Sequence, residues 1–336
     1  MERTVVFCVS CRIALGKLRR ITNIAQALRE EGNISLFLLA NSGPKGVIQS
    51  LKPEEFALFD HIEDSKPADM AGRLKSINRS VVVVDTMKVP DLHQIGARLC
   101  LVLREALSQE LPKFHLRDGR LWDLVILPNP PGHWTPDPSV VSARRVESVG
   151  WIYRRPELHS RHSVEGEPIT VLITTGGGSG EDRGNDVRAD IESLIQSLRQ
   201  LLRVPVKFIE VMGPRDWKHH SVESVDQILK PGPELHNLFS KVDLVISAAG
   251  YNTVLELACT DVPVLLVPVP RYTDDQEKRA RLWGDHLGMC YVPAQKDLSV
   301  RWMADVLQKQ SRRPIVDIGP SGAAGSAKLI RELLAG

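Results

Sequence analysis

No apolar stretch in this sequence reaches the roughly 18 residues needed to span a bilayer, and its longest apolar runs are strand-sized and end at proline or charge. Membrane contact, if made, is therefore expected to be peripheral. Cysteine is scarce: five residues, at positions 8, 11, 100, 259 and 290, an odd number that suits a reducing compartment better than a disulfide framework. Cys8 and Cys11 have CxxC spacing, but no Trp, Gly or Pro accompanies them as in a redox motif, and no second pair completes a zinc set. Surplus charge is missing too. Lysine and arginine number 43 against 41 acidic residues, a net of +2, so no global field advertises nucleic acid. The basic clusters "GKLRR" (16–20), "YRRPELHSRH" (153–162) and "KRARLW" (278–283) read as solvated faces. The chain opens directly into a strand pattern without a secretory leader, so the expected location is cytoplasmic, at most peripheral on the inner face of the membrane.

What is present is an ordinary globular composition, 43% hydrophobic and 25% charged, over 336 residues. That length exceeds one usual hydrophobic core and predicts two domains of about 150 residues each. Strand-sized apolar runs alternate with helical patterns throughout, which predicts an α/β fold of parallel sheets covered by helices. In the first half strands are expected at 4–9, 34–40, 81–85 and 123–128, with "LCLVLREAL" (99–107) read as a strand running into helix. Leu18, Ile21, Ile24, Ala25 and Leu28, spaced three and four apart, predict a buried helix face ending at Gly32. In the second half strands are expected at 169–175, 204–213, 225–231, 243–249, 262–270 and 289–293, with a helix marked by Val187, Ile191, Leu194, Ile195, Leu198 and Leu201. The expected organisation is an N-terminal Rossmann-like domain over 1–152, a linker at 153–168, a second Rossmann-like domain over 169–320, and a last helix over 321–336 that crosses back to the first.

In open α/β sheets, ligands sit beyond the carboxyl ends of the strands, where loops lead into helix N-termini. Two loops of the second half fit that position. "TTGGGSG" (174–180) follows a strand: Gly176, Gly177 and Gly178 let backbone approach an anion, and Ser179 adds a hydroxyl, although the loop is neither a P-loop nor a GxGxxG fingerprint. In "AAGYNTVLELA", Gly250 permits a positive φ, and Asn252 or Thr253 caps a helix whose next turn presents Glu256. Two readings stand equally here: Thr253 and Glu256 form a plain capping box, or a diphosphate sits on the helix N-terminus while Glu256 accepts hydrogen bonds from a ribose. Asp275 and Gln276 fall beyond the next strand, on the same rim, where carboxylate and amide groups suit sugar hydroxyls. A solvated acidic helix start is the alternative.

The pattern Asp243, Ser247, Gly250, Thr253, Glu256, Pro263, Pro268, Asp275 and Gln276 resembles the C-terminal domain of GT-B glycosyltransferases of the MurG type (glycosyltransferase family 28), and of the related UDP-sugar hydrolase PseG. Asp261 stands where the family has a glycine. The resemblance implies two Rossmann-like domains facing a central cleft, with a nucleotide-sugar donor on the second. Glu256 would grip the ribose of a uridine-type nucleotide, with the base near residues 229–231. Gly250, Asn252 and Thr253 would meet the diphosphate, Gly176 to Ser179 its other side, and Asp275 and Gln276 the donor sugar. No metal or resident cofactor is implied, only a UDP-sugar as co-substrate. The implied activity is inverting, metal-independent sugar transfer to an acceptor held by the first domain: a lipid-linked sugar, a polysaccharide or a small molecule. The first half is similar more weakly. Gly16 and Arg20 match the N-terminal loop of these proteins, but Lys17 stands at their histidine, and an unperturbed lysine is protonated at pH 7 and takes no proton. Lys17 as a cation and Asp85 as base, with His133 next in line, are the catalytic candidates. A PseG-like nucleotide-sugar hydrolase and a catalytically inactive nucleotide-sugar-binding partner subunit are the alternatives.

Overall fold

A computed structural model describes residues 3–11, 15–30, 32–42, 51–77, 81–155, 168–174, 184–212, 222–229, 235–271 and 274–336. The chain divides into two compact units, Met1–Arg154 with Gly319–Gly336, and Arg155–Ile318. The first contains a seven-stranded sheet of β1 (Thr4–Ser10), β2 (Ser35–Asn41), β3 (His61–Asp64), β4 (Val81–Asp85), β5 (Arg98–Val102), β6 (Leu124–Leu127) and β7 (Val146–Ser148). Its order is β3-β2-β1-β4-β5-β6-β7, with every pairing parallel. Helices α1 (Gly16–Glu30), α2 (Pro53–Phe56) and α3 (Pro67–Ser76) lie in the first three connections.

The central strands are buried on both faces, which is why they read as continuous apolar runs rather than alternating ones. Val5, Phe7 and Val9 of β1 pack with Leu18, Ile21, Ile24 and Leu28 of α1. Val6 and Cys8 face the other way, into a cluster with Met70 and Leu74 of α3 and with Trp122. All five residues expected on the inner face of α1 are fully buried, each contributing about 1.5–3 kcal/mol of hydrophobic stabilisation for the larger side chains.

The second unit contains a six-stranded sheet of β8 (Ile169–Thr174), β9 (Val206–Val211), β10 (Gln227–Leu229), β11 (Leu244–Ala248), β12 (Val264–Val267) and β13 (Gly288–Cys290), in the order β10-β9-β8-β11-β12-β13 and again all parallel. Its helices are α4 (Gly184–Leu201), α5 (His236–Phe239), α6 (Tyr251–Ala258), α7 (Gln276–Leu287) and α8 (Lys296–Gln308). The last helix, α9 (Ala323–Ala335), belongs to the first unit, where Ala327 and Ile330 join the β1–α1 core. In both sheets the strand order reverses beside the first strand, between β1 and β4 and between β8 and β11; these are the switch points at which doubly wound folds bind ligands.

One device recurs at the opposite, amino edge. Asp60, Asp123, Asp226 and Asp243 each stand immediately before a strand, and each carboxylate accepts from a backbone N–H near the start of the neighbouring strand: Leu36 at 2.8 Å, Leu99 at 2.8 Å, Phe208 at 2.7 Å and Thr170 at 2.7 Å. The backbone N–H of each aspartate donates back to the carbonyl of that same residue. Each aspartate thereby fixes strand register at the sheet edge, where ladder partners run out.

Three expectations are corrected. Residues 103–107 do not continue β5 as a helix; the chain runs irregularly to a 3-10 turn at Ser108–Phe114, because Leu111 and Phe114 pack against Trp122, whose indole N–H donates to the Phe114 carbonyl at 2.7 Å. Leu201 points to solvent and Leu202 is buried in its place, since α4 ends there. Arg20 is no member of a solvated face: it is 1% exposed.

Candidate functional site

At the carboxyl edge of the first sheet, β4 ends in Asp85, which is fully buried. Arg20, one and a half turns into α1, meets it with a bidentate pair, Nε to Oδ2 at 2.9 Å and Nη2 to Oδ1 at 2.5 Å. A buried guanidinium and carboxylate tolerate removal from water only when paired in this way. The next residue, Thr86, has φ 42°, a left-handed conformation costly for a β-branched side chain. Its N–H and its hydroxyl both donate to the Val102 carbonyl at 2.9 Å, which holds it there. The strained backbone turns the Thr86 carbonyl toward Lys17, whose Nζ donates to it.

Burial lowers the Lys17 amine from its ordinary 10.5 to about 8; Arg104 and Arg20 add to the effect, and Asp85 and Cys11 oppose it. The lysine at this position is therefore a perturbed one, still mostly a cation at pH 7. The CxxC pair beside it is inert: burial pushes the Cys8 thiol up to about 12 and Cys11 to about 11, away from the thiolate that redox chemistry needs.

At the carboxyl edge of the second sheet, β11 runs into α6 through Gly250. Gly250 is the N-cap of α6 at φ −66° and ψ 142°, with no side-chain cap. Both sequence readings of this turn change. Gly250 does not use a positive φ, and Thr253 stands at the third position inside the helix, so Thr253 and Glu256 form no capping box. Glu256 lies half-buried on the second turn. Among the described residues, a Cβ built on Gly250 meets nothing nearer than the Thr253 hydroxyl at 3.5 Å, an ordinary contact. Asn252 sits in the first turn of the helix, half-buried.

Beyond β12, Asp275 is exposed and caps α7, its carboxylate accepting from the Lys278 N–H at 2.8 Å. Gln276 is 2% exposed; its Oε1 accepts from the Val269 N–H at 3.2 Å, and its Nε2 has no hydrogen-bond partner among the described residues. Arg279 joins this loop to the Gly250 turn: the buried guanidinium donates to the Ala249 carbonyl and to Asp274 Oδ2, both at 2.9 Å. Sequence reasoning missed Arg279 by reading 278–283 as a solvated basic cluster; the five-residue separation from Asp274 matches no helical pairing rule. Gly176, Gly177, Gly178 and Ser179 lie outside the described residues, directly after buried Thr174 at the end of β8. Among the described residues, no group of three or more His, Cys, Asp or Glu side chains could hold a metal ion, and no helix is long and apolar enough to cross a membrane.

Two parallel sheets with this strand order and interleaved helices define the GT-B glycosyltransferase fold. The chain aligns over its whole length with the S. aureus MnaA–UDP co-structure (12% identity, 98% of that chain, TM-score 0.63) and over 99% with Acinetobacter baumannii MurG (13% identity, 99% of that chain, TM-score 0.56). Residues 170–315 match the glycosyltransferase family 28 C-terminal domain. The chain accordingly has the GT-B fold, and its second unit carries a region that matches the glycosyltransferase family 28 C-terminal domain. A curated relative from Paraburkholderia xenovorans (strain LB400), UDP-N-acetylglucosamine–N-acetylmuramyl-(pentapeptide) pyrophosphoryl-undecaprenol N-acetylglucosamine transferase, is 29% identical over 202 residues. That match covers 58% of this chain and 51% of the relative, so the chain spans about half the length of the curated protein it matches.

Proposed function

We propose that the protein is a glycosyltransferase that moves a sugar from a UDP-sugar to an acceptor held by the first unit. The observation that carries this reading is Gly250. Among the described residues neither its φ nor its surroundings require glycine, and a helix start without a Cβ lets a ligand come close to the α6 N-terminus. The positive dipole end of that helix suits a diphosphate, with Asn252 and Thr253 beside it. Glu256, half-buried on the second turn of α6, would accept from a ribose, as the family resemblance implies. Gln276 offers a buried amide donor to the transferred sugar beside Asp275, and Gly176 to Ser179, outside the described residues, follow β8 in the sequence. UDP is part of the donor named for the Paraburkholderia relative and is bound in the S. aureus MnaA co-structure, which supports a uridine nucleotide here.

In the step itself, the acceptor oxygen bonds to the anomeric carbon in line as the bond to the diphosphate breaks, inverting the centre. Backbone dipoles take up the leaving charge in place of a metal. On the first unit Lys17 supplies a cation. Asp85, both of its oxygens committed to Arg20, serves by anchoring that arginine rather than as the proton acceptor the sequence suggested. A lipid-diphosphate acceptor is the class printed in the relative's name, and one of that kind would bring the protein to the inner membrane face.

The test is calorimetric titration of the full chain with UDP, GDP and TDP, for wild type and Gly250→Ser. Serine is at least as good an N-cap as glycine, so the variant is expected to keep its melting temperature and lose at least about tenfold in UDP affinity. Unchanged UDP affinity would remove the diphosphate from this turn. UDP release that is slow with water alone and speeds up on adding an acceptor would separate the transferase from the hydrolase, whose release no acceptor quickens, and from an inactive binder, which releases nothing.

A further inference from the structure

The proposed transfer leaves one proton unassigned. The acceptor hydroxyl must lose it, Asp85 is sealed against Arg20, and Lys17 holds its own proton on the Thr86 carbonyl. On the same carboxyl edge of the first sheet, two strands along, lies a histidine built for the task. His133 follows β6 in "NPPGHWTP". Its N–H donates to the Pro130 carbonyl at 3.2 Å across a turn with Pro131 and Gly132 at the corners, Gly132 at φ 78°. That is a type II turn, and proline followed by glycine is the sequence such a turn demands. Asn129, 2% exposed, clamps the loop from inside: its Nδ2 donates to the Pro130 and Trp134 carbonyls, both at 3.1 Å.

The ring is positioned as firmly as the backbone. The buried Trp151 indole packs against it edge to face, centroids 4.8 Å apart and planes at 73°. Glu105, three residues past β5, brings Oε2 to 3.6 Å from His133 Nε2. The imidazole keeps 21% of its side-chain surface exposed, enough to reach a substrate without being free to swing. A turn, an amide clamp, an indole and a carboxylate converging on one partly exposed imidazole exceed what loop packing needs.

We infer that His133 is the proton acceptor of the transfer step and Glu105 its positioning residue; this rests on the reading of the chain as a UDP-sugar transferase. With a proton on Nε2 facing Glu105, Nδ1 carries the lone pair. The acceptor O–H proton passes to Nδ1, the oxygen's electron pair forms the bond to the anomeric carbon, and the carbon–oxygen bond to UDP breaks with its pair leaving on the diphosphate. Glu105 stabilises the imidazolium that results, in the arrangement by which carboxylates orient catalytic histidines.

The experiment uses the full chain with UDP-N-acetylglucosamine as probe and water as acceptor, following UDP release at saturating donor. His133→Asn, which keeps most of the side-chain volume, is expected to slow release at least about 100-fold with the KM for donor held. His133→Ala is expected to regain at least about tenfold when imidazole is added. Glu105→Gln is expected to lower kcat about tenfold at constant KM. Release by His133→Asn at the wild-type rate overturns the assignment; so does a loss in His133→Ala that imidazole leaves untouched, the signature of loop packing. Wild type that binds UDP and releases none overturns it as well. Failure to bind UDP at all is a different result, striking the donor site on the second unit and taking this inference with it.

Discussion

Lys17 is placed where a lysine is costly. Its amine is part-buried, two arginines add to the depression of its pKa, and its hydrogen-bond acceptor is the carbonyl of a strained threonine. The folded pKa of about 8 lies below the ordinary 10.5, so between those values the unfolded chain holds a proton that the folded chain has shed. Stability contributed by this group therefore rises with pH across that window, and below pH 8 the full penalty is present. Lys17→Met is expected to stabilise the protein at pH 7 by on the order of 2 kcal/mol, a gain that shrinks toward pH 10; chemical denaturation at the two pH values measures it. A gain independent of pH would mean that Met packs better and that the charge costs nothing. A residue retained against its own stability points to chemistry, as does the left-handed Thr86 beside it. The sequence singled out Lys17 by resemblance alone, and its environment was invisible there: Arg20 read as solvated, and nothing in "VVVVDT" announces a threonine at positive φ. The Gly250 turn was legible in residue types and misread in conformation, because a helix that starts on glycine leaves the same Thr and Glu that a capping box would.

Asp243 belongs to the family pattern, yet it lies at the end of the sheet away from Gly250. Its carboxylate accepts from the Thr170 N–H, its own N–H donates to the Thr170 carbonyl, and the same two bonds recur at Asp60, Asp123 and Asp226. A device repeated in both sheets at strand starts is about pairing strands, not about a ligand. Asp243→Ala is expected to cost about 1–3 kcal/mol of stability through the unpaired N–H, with UDP affinity of the folded protein unchanged, checked by urea unfolding beside calorimetric titration. Loss of affinity without loss of stability would move Asp243 into the donor site. Its spelling, an aspartate one residue before an apolar run, was in the sequence at "FDHI", "WDLVIL", "VDQIL" and "VDLVIS". The interior strands were read closely for a related reason: two buried faces impose continuous β-branched runs. Of the edge strands, β10 and β13 fall at stretches expected from the sequence, at 225–231 and 289–293, but those of the first sheet were passed over. β3 and β7 are short and half-exposed and carry no apolar signature, and α3 and α8 follow proline or polar starts that the reading of apolar runs passed over.

Across the whole molecule, chain order and spatial order part company at α9. The polypeptide leaves the first unit at Arg154, builds the second, and returns at Gly319 so that its last helix completes the first core. Ala327 is fully buried and Leu329 and Ile330 nearly or fully so. Arg98 donates to the Leu333 carbonyl, Arg145 pairs with Glu332 at 2.7 Å, and the backbone of Gly322 approaches Val149 and Gly150 so closely that a Cβ there would lie 2.5 Å from the Val149 carbonyl oxygen. The N-terminal unit thus depends on residues made last, whereas the second unit's core contains no residue after Ile318. Removing 319–336 is expected to expose the α1 face that α9 covers and to lower the stability of the first unit by several kcal/mol, on the scale of about 1.5–3 kcal/mol for each large apolar side chain uncovered. UDP binding, assigned to the second unit alone, is expected to survive. Differential scanning calorimetry with and without UDP reads both at once: ligand raises only the transition of the unit that binds it. A truncated chain whose UDP-sensitive transition is as intact as in the full chain, with the other transition lost, would locate the donor site wholly on the family 28 domain. Loss of UDP binding on truncation would instead show that the donor site needs the first unit folded.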